Sequence, residues 1–195
     1  MNSCLDNVHA VILAAGASSR MGSPKQLLVW NGRTLLERAV SSARASCGER
    51  VIVVLGAHSQ AIQAGVNLDG VGVIVNPDWR EGMASSIRAG IRALPDSAEA
   101  ALILLCDQPR IGAEHLGRLL DAWQGEPNRI AASVYHGGVG VPALFPSGFF
   151  GDLLALRGDR GAKGVLMKFE ASLLKIPLPE AELDIDRAAD LERLT

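Results

Sequence analysis

The sequence predicts an α/β fold: a mostly parallel sheet with helices on both faces, ending in a more irregular C-terminal part. Two observations predict it. The runs Val8–Ala14, Val51–Leu55, Val71–Val75 and Ala101–Cys106 are continuously apolar and too short for helices. Such runs suit central parallel strands covered on both faces. Helical patterns alternate with them at Thr34–Ser46, Gln60–Ala64 (extended at either end), Ala84–Leu94 and Glu114–Trp123. Strand and helix in alternation give right-handed crossovers and three layers, α/β/α.

Taken in order, Val8–Ala14 leads into a loop of small residues, Leu13–Lys25. Thr34 then opens the first helix with Glu37 three residues on, the spacing of a capping box. Cys106-Asp107-Gln108-Pro109 closes the strand Ala101–Cys106, because Pro109 cannot donate to a ladder. After Gly125 the texture changes. Ile130–Tyr135 and Val139–Phe145 read as strands joined by His136-Gly137-Gly138, a hairpin or tight connection. Gly148, Gly151, Gly158, Gly161 and Gly164 punctuate short helices, Ser172–Ile176 is a last strand, and Arg187–Leu194 a terminal helix. No repeat or linker divides the chain, so one domain over residues 1–195 is expected, with halves of about 1–125 and 126–195.

Composition narrows the class. A chain of 195 residues is long enough to bury a full core, and 48% hydrophobic with 21% charged residues is ordinary for a globular protein. Apolar stretches such as Ala100–Cys106 fall well short of the roughly 18 residues a membrane helix needs. The polar start carries no basic residue before Val8, so no secretory leader is expected and the cytoplasm is the expected location. A net charge of −2 with scattered Lys and Arg argues against a nucleic-acid partner. Cys4, Cys47 and Cys106 are odd in number and without paired spacing, which fits buried or incidental thiols.

The loop Leu13-Ala14-Ala15-Gly16-Ala17-Ser18-Ser19-Arg20-Met21-Gly22-Ser23-Pro24-Lys25 emerges at the carboxyl edge of the sheet, where open α/β folds bind ligands. Its small residues let backbone N–H groups approach a phosphate. Arg20 adds a guanidinium able to grip phosphate oxygens bidentately, and Lys25 a mobile point charge. A P-loop is excluded, since five residues separate Gly16 from Gly22 and Ser23 follows; G-x-G-x-x-G is also absent. A glycine-rich surface turn is the bland alternative. Asp107, at the carboxyl end of a central strand, faces the same edge and is the first candidate for a Mg²⁺ ligand, since magnesium takes oxygen ligands. Ser85 and Ser86 lie at a helix start, where hydroxyls serve either a cap or a ligand.

The loop resembles the L-A-A-G-x-S-x-R-M-G-x-P-K motif of the NTP-transferase family that includes the molybdenum cofactor cytidylyltransferases, within the MobA-like superfamily. Asn76-Pro77-Asp78-Trp79-Arg80-Glu81-Gly82-Met83-Ala84-Ser85-Ser86 resembles that family's second loop, beside the base and ribose. Leu183-Asp184-Ile185-Asp186 resembles its D-I-D segment, although Arg187-Ala188-Ala189 replaces Thr-Pro-Glu. Arg157-Gly158-Asp159-Arg160-Gly161-Ala162-Lys163 resembles its G-D-x-G-A-R segment, which lies toward the acceptor. One departure stands out: where the family reads G-H-P, this chain has Gly140-Val141-Pro142, losing an imidazole on the acceptor side. His136, five residues earlier, is no obvious substitute.

The resemblance implies the Rossmann-like nucleotide-diphospho-sugar transferase version of the fold. It implies nucleotide contacts from Leu13, Ala14, Ala15, Gly16, Gly82 and Ser86, and catalytic roles for Arg20, Lys25 and Asp107. It implies Mg²⁺ on Asp107 and Asp186, and acceptor contacts from Gly158, Asp159, Gly161 and Lys163. Asp186 as a helix N-cap, and residues 157–163 as a solvated turn, are the alternatives. Ala15, where guanylyltransferase relatives more often carry Gly, points to CTP, with GTP open. The acceptor implied is molybdopterin, giving molybdopterin cytosine dinucleotide, with a transient contact to a molybdoenzyme or its chaperone. The rivals are a guanylyltransferase, a sugar- or polyol-phosphate nucleotidyltransferase of the same fold, and a non-catalytic delivery protein.

Overall fold

The computed structural model describes residues 7–19, 21–187 and 189–190. In chain order the elements are β1 (Val8–Ala14), β2 (Val29–Trp30), β3 (Arg33–Thr34), α1 (Leu35–Cys47), β4 (Val51–Leu55), α2 (Ser59–Gly65) and β5 (Gly72–Val75). There follow α3 (Met83–Arg92), β6 (Ala100–Leu105), α4 (Ala113–Trp123), β7 (Ile130–Tyr135), β8 (Gly138–Pro146), α5 (Phe150–Leu154), α6 (Lys163–Lys168) and β9 (Leu173–Pro177).

Among the described residues the main sheet has seven strands in the order β5-β4-β1-β6-β8-β7-β9. Neighbours run parallel except at β8, which is antiparallel to both β6 and β7. The sheet is therefore mostly parallel, as the apolar runs require. Strand β1 lies between β4 and β6, with Leu13 opposite Val54 and Leu105. The hairpin expected at residues 136–138 forms, but β8 reaches past its partner to join the parallel half.

Alternation along β1 builds the two faces. Ala10 and Ile12 point to one side, where α1 and α4 pack Leu36, Val40, Leu116, Leu119 and Trp123 against them. Val11 and Leu13 point to the other, covered by Ile87 and Ile91 of α3, Leu153 of α5 and Leu166 of α6. Contact between α3 and the sheet is close: a Cβ on Gly90 would lie 2.4 Å from Val11 Cγ1. No larger residue fits there without moving α3.

Local signals hold where they carry a mechanism. Thr34 accepts from the Glu37 amide at 3.1 Å while Glu37 Oε2 accepts from the Thr34 amide at 2.8 Å, closing the capping box of α1. The small β2–β3 hairpin was not expected, yet Asn31 and Gly32 at its tip both have positive φ, as a type I′ turn demands. The terminal helix expected over Arg187–Leu194 falls largely outside the described residues, as does Cys4. Cys47 and Cys106 are buried free thiols; burial first, then Asp107, pushes Cys106 up to about 12. Among the described residues no helix is long and apolar enough to cross a membrane.

Candidate active site

The carboxyl ends of β1 and β6, the start of α3 and the turn after α5 enclose a cavity of about 510 Å³. Leu13, Ala14, Ala15, Gly16, Lys25, Gly82, Ser86, Asp107 and Asp159 all line it. Positions spread over the whole chain thus meet at the sheet edge where open α/β folds bind ligands. Arg20 lies outside the described residues.

The loop after β1 is held by a side chain the sequence reading did not single out. Gln26 is fully buried, and its Nε2 donates to the carbonyls of Ala14 at 2.7 Å and Gly16 at 3.1 Å. Ser18, in the left-handed region at φ 51°, accepts at its Oγ from the Lys25 amide at 3.0 Å. Ala57 donates to the Ala15 carbonyl at 3.0 Å and ties the loop to the end of β4. These bonds fix the backbone, leaving Ala14 to Gly16 as the cavity wall.

The charged centre is a lysine between carboxylates. Lys25 Nζ is hydrogen-bonded and ion-paired to Asp107 Oδ2 and lies 3.4 Å from Asp186 Oδ1. Burial disfavours the ammonium, but Asp107 and then Asp186 outweigh it and raise the pKa. The other oxygen, Asp107 Oδ1, is buried with no hydrogen-bond partner among the described residues. Asp186 opens to a smaller pocket with Gly16, Ser18, Ser19 and Lys25. Asp184, beside Gln108, joins the group; desolvation and then the facing Asp107 push its carboxyl up to about 6.

Among the described residues no three acidic, histidine or cysteine side chains converge to hold a metal by themselves. An ion taking one or two carboxylates and completing its shell with phosphate oxygens and water fits these residues, because Asp107 Oδ1 has no other partner.

Asn76 organises the start of α3. Its Nδ2 donates to Ser85 Oγ at 2.8 Å and Ser86 Oγ at 3.1 Å, while Ser85 donates to the Gly82 carbonyl at 2.8 Å. Ser85 is thereby committed to the protein, and Ser86 keeps its hydrogen for the cavity it lines. Trp79 and Arg80, quoted in the matching segment without a role, form another wall, the guanidinium 4.4 Å over the indole. Gly82 serves a different approach from the one expected. At φ 112° a Cβ there would meet Asp159 Oδ1 and the Gly158 carbonyl, so its missing side chain admits the 158–159 turn. The Gly158 carbonyl accepts from the Ala84 amide at 3.1 Å, and Gly158 itself lines neither this cavity nor the next.

A second cavity of about 300 Å³ adjoins the first across Leu13, Met83 and Leu105. Ile87, Ile103, Val139 and Val141 give it an apolar floor; Tyr135, His136, Gly161 and Lys163 supply polar groups and backbone. Tyr135 Oη donates to the Val141 carbonyl at 3.0 Å, and His136 Nε2 lies 3.1 Å from Glu182. His136, which the spacing leaves as an ordinary loop residue, thus shares a wall with Val141. Of the residues expected toward an acceptor, Gly161 and Lys163 lie here and Asp159 in the first cavity.

Comparison with known proteins bears on the family and the fold. Residues 10–173 match the model of the MobA-like NTP transferase domain. Nicotine blue oxidoreductase of Paenarthrobacter nicotinovorans is 41% identical over 129 residues, which span 66% of this chain and 62% of that protein. The molybdenum cofactor cytidylyltransferase of Escherichia coli K12 is 24% identical over 94% of this chain and 93% of its own length. Rv0371c of Mycobacterium tuberculosis H37Rv superposes with a TM-score of 0.84 at 32% identity, covering 96% of this chain and 97% of that one. Its complex with manganese gives 0.81 at 30% identity, over 96% and 97%.

Proposed function

This chain belongs to the MobA-like NTP transferase family, and we propose that it moves a cytidylyl group from CTP onto the phosphate of a molybdopterin-class acceptor, releasing pyrophosphate. The observation that carries the reading is Lys25, held between Asp107 and Asp186 on the wall of a cavity large enough for a nucleotide. A binder has little need of a lysine and two carboxylates at one point; displacement at phosphorus has need of all three.

In this reading an oxygen of the acceptor phosphate attacks the α-phosphorus in line, and the bond to the bridging oxygen breaks as pyrophosphate departs. The chain positions and neutralises rather than reacts. Backbone amides from Ala14 to Gly16 approach the triphosphate, and Lys25, with Arg20, donates to oxygens that gain charge as the bond breaks. Asp107 and Asp186 would hold Mg²⁺, which would supply positive charge to neutralise the phosphates. Lys25, near both carboxylates, is placed to turn to the phosphates when the nucleotide binds. Ser86 donates to the nucleotide, and the Ala15 methyl narrows the wall toward a pyrimidine. Asp159, Gly161 and Lys163 meet the acceptor, whose body lies along Ile87, Ile103 and Val141.

Support for the cytidylyl choice comes from Ala15 and from the likeness to the Escherichia coli cytidylyltransferase; support for a divalent ion comes from the manganese complex of Rv0371c. Pyrophosphate release is measured with CTP, GTP, ATP and UTP, each with and without Mg²⁺, on molybdopterin. CTP alone sustaining Mg²⁺-dependent release is the expected result. Faster release with GTP makes it a guanylyltransferase, and tight CTP binding without turnover makes it a delivery protein. A second reading, an oxidoreductase like the Paenarthrobacter relative, draws on that likeness and on the apolar floor of the second cavity. NADPH consumption without pyrophosphate release would favour it.

A further inference from the structure

A third concave site lies away from both cavities and shares no lining residue with either. It is a cavity of about 530 Å³ between α1, the β2–β3 hairpin and the loop after Asp107. Arg38 projects from α1 with its guanidinium 4.0 Å over the Trp30 ring, and Arg33 stands beside it. Neither arginine is ion-paired with a carboxylate among the described residues. Arg33 reaches only Ser41 Oγ at 3.4 Å, and Arg38 Nη2 only the Pro109 carbonyl at 3.4 Å. Arg38 Nε is buried with no hydrogen-bond partner.

Two adjacent guanidiniums with no ion pair among the described residues, one of them partly desolvated and the other sensed by the Glu37 carboxylate, raise the local potential and leave donors unused. Burial and then the charge of Arg33 lower the Arg38 pKa, the direction such crowding produces. Two carboxylates, Glu114 and Glu180, also line this cavity, and they lie 3.3 and 3.7 Å from His115 rather than in an ion pair with either arginine. The concave shape fits a small molecule better than a protein surface. A guanidinium fork matches a phosphate group, and the Trp30 ring holds the fork of Arg38 flat.

We propose that Arg33 and Arg38, with the Ser41 hydroxyl, form a second anion site that takes a phosphate group of a small molecule, the Ser42 hydroxyl being held by the Ile111 carbonyl at 3.3 Å. Arg38 touches the Pro109 carbonyl, two residues past Asp107, so an occupant bears on the loop that carries the transfer carboxylate. Binding at this site is read without turnover, so its test stands apart from the reaction assigned to the first cavity.

Inorganic phosphate is the probe. Trp30 fluorescence is followed in a Trp79→Phe background, where the remaining Trp123 is buried. A saturable change is expected, weakened roughly tenfold or more by Arg33→Gln and by Arg38→Met, as expected for losing a charged hydrogen-bond partner. Arg33 is exposed, so its replacement tests the site without disturbing the fold or the Trp30 stack. Lys25→Ala should leave the response intact. No saturable change, equal affinity in both arginine variants, or dependence on Lys25 would overturn the assignment. Acetate at matched ionic strength should bind more weakly; tighter acetate binding would overturn the phosphate class.

Discussion

Replacing Gln26 with leucine keeps the volume and removes both bonds that hold the loop after β1. The Ala14 carbonyl, on a residue 2% exposed, would be left buried and unpaired, a loss of about 1–3 kcal/mol. The Gly16 carbonyl is more open, and water replaces most of its bond at about 0.5–1 kcal/mol. The sum is about 2–4 kcal/mol, which at this chain length corresponds to roughly 4–16 °C in Tm. The loop also loses its anchor at the cavity wall, so KM for the nucleotide should rise while the circular dichroism of the folded chain is retained. Gln26→Glu sharpens the test: an ionised carboxylate cannot donate and would face two carbonyl oxygens, so this variant should improve as pH falls and the acid regains one donor. Thermal unfolding and nucleotide KM measured together decide the matter. A Gln26→Leu chain within ~1 kcal/mol of the parent and unchanged in KM would refute the role of Gln26.

Lys25→Ala and Asp107→Asn should each reduce turnover by about 10²–10³-fold in a pyrophosphate assay. Lys25→Met alone leaves Asp107 unpaired and should cost about 3 kcal/mol in denaturant unfolding. The double variant Lys25→Met/Asp107→Asn should recover most of that stability and none of the turnover; recovered turnover would remove the pair from the chemistry. Asp184 titrates near 6 when folded and near 3.8 in its unperturbed form, so the native state binds the extra proton between those values. Without metal, stability should therefore fall as pH rises from about 4 to 6. Asp184→Asn should flatten that slope and gain ~1 kcal/mol at pH 7.5, a figure reduced for the solvent at its open side; an unchanged slope contradicts the raised acid. Gly90→Ala brings a methyl onto Val11 and should cost about 1–3 kcal/mol by thermal unfolding, with the nucleotide site unaltered at low temperature.

Strands were legible because burial on both faces leaves one residue class available: β1, β4 and β7 begin and end where their apolar runs do. That the loop after β1 and Asp107 meet at one cavity was legible for a related reason, since small residues, charge and a strand end fall together in a few positions. Gln26 was not, because its task is to satisfy two carbonyls that only the folded loop brings together. Asp184 was not legible beside Asp186 because its raised acid comes from burial and then from Asp107, both set by the fold and the latter distant in sequence. Gly82 lines the first cavity, but the need for glycine there comes from the 158–159 turn, which a single segment of sequence does not show. Arg88 shows the same blindness to distance: buried in α3, it donates to the Leu156 carbonyl at 2.8 Å and binds Glu81, tying the start of α3 to the turn after α5.

The reversed strand β8 separates two kinds of change. Triphosphate handling draws on β1, β6 and α3, joined by crossovers, so altering one crossover reroutes chain across the sheet. The wall beneath Tyr135, His136 and Val141 belongs to a single hairpin whose two strands are joined by a tip at residues 136–137. Its tip can lengthen, shorten or change side chains while every other connection keeps its path. In the reading proposed above, editing that one ribbon alters part of the acceptor wall and leaves the cavity between β1, β6 and α3 in place.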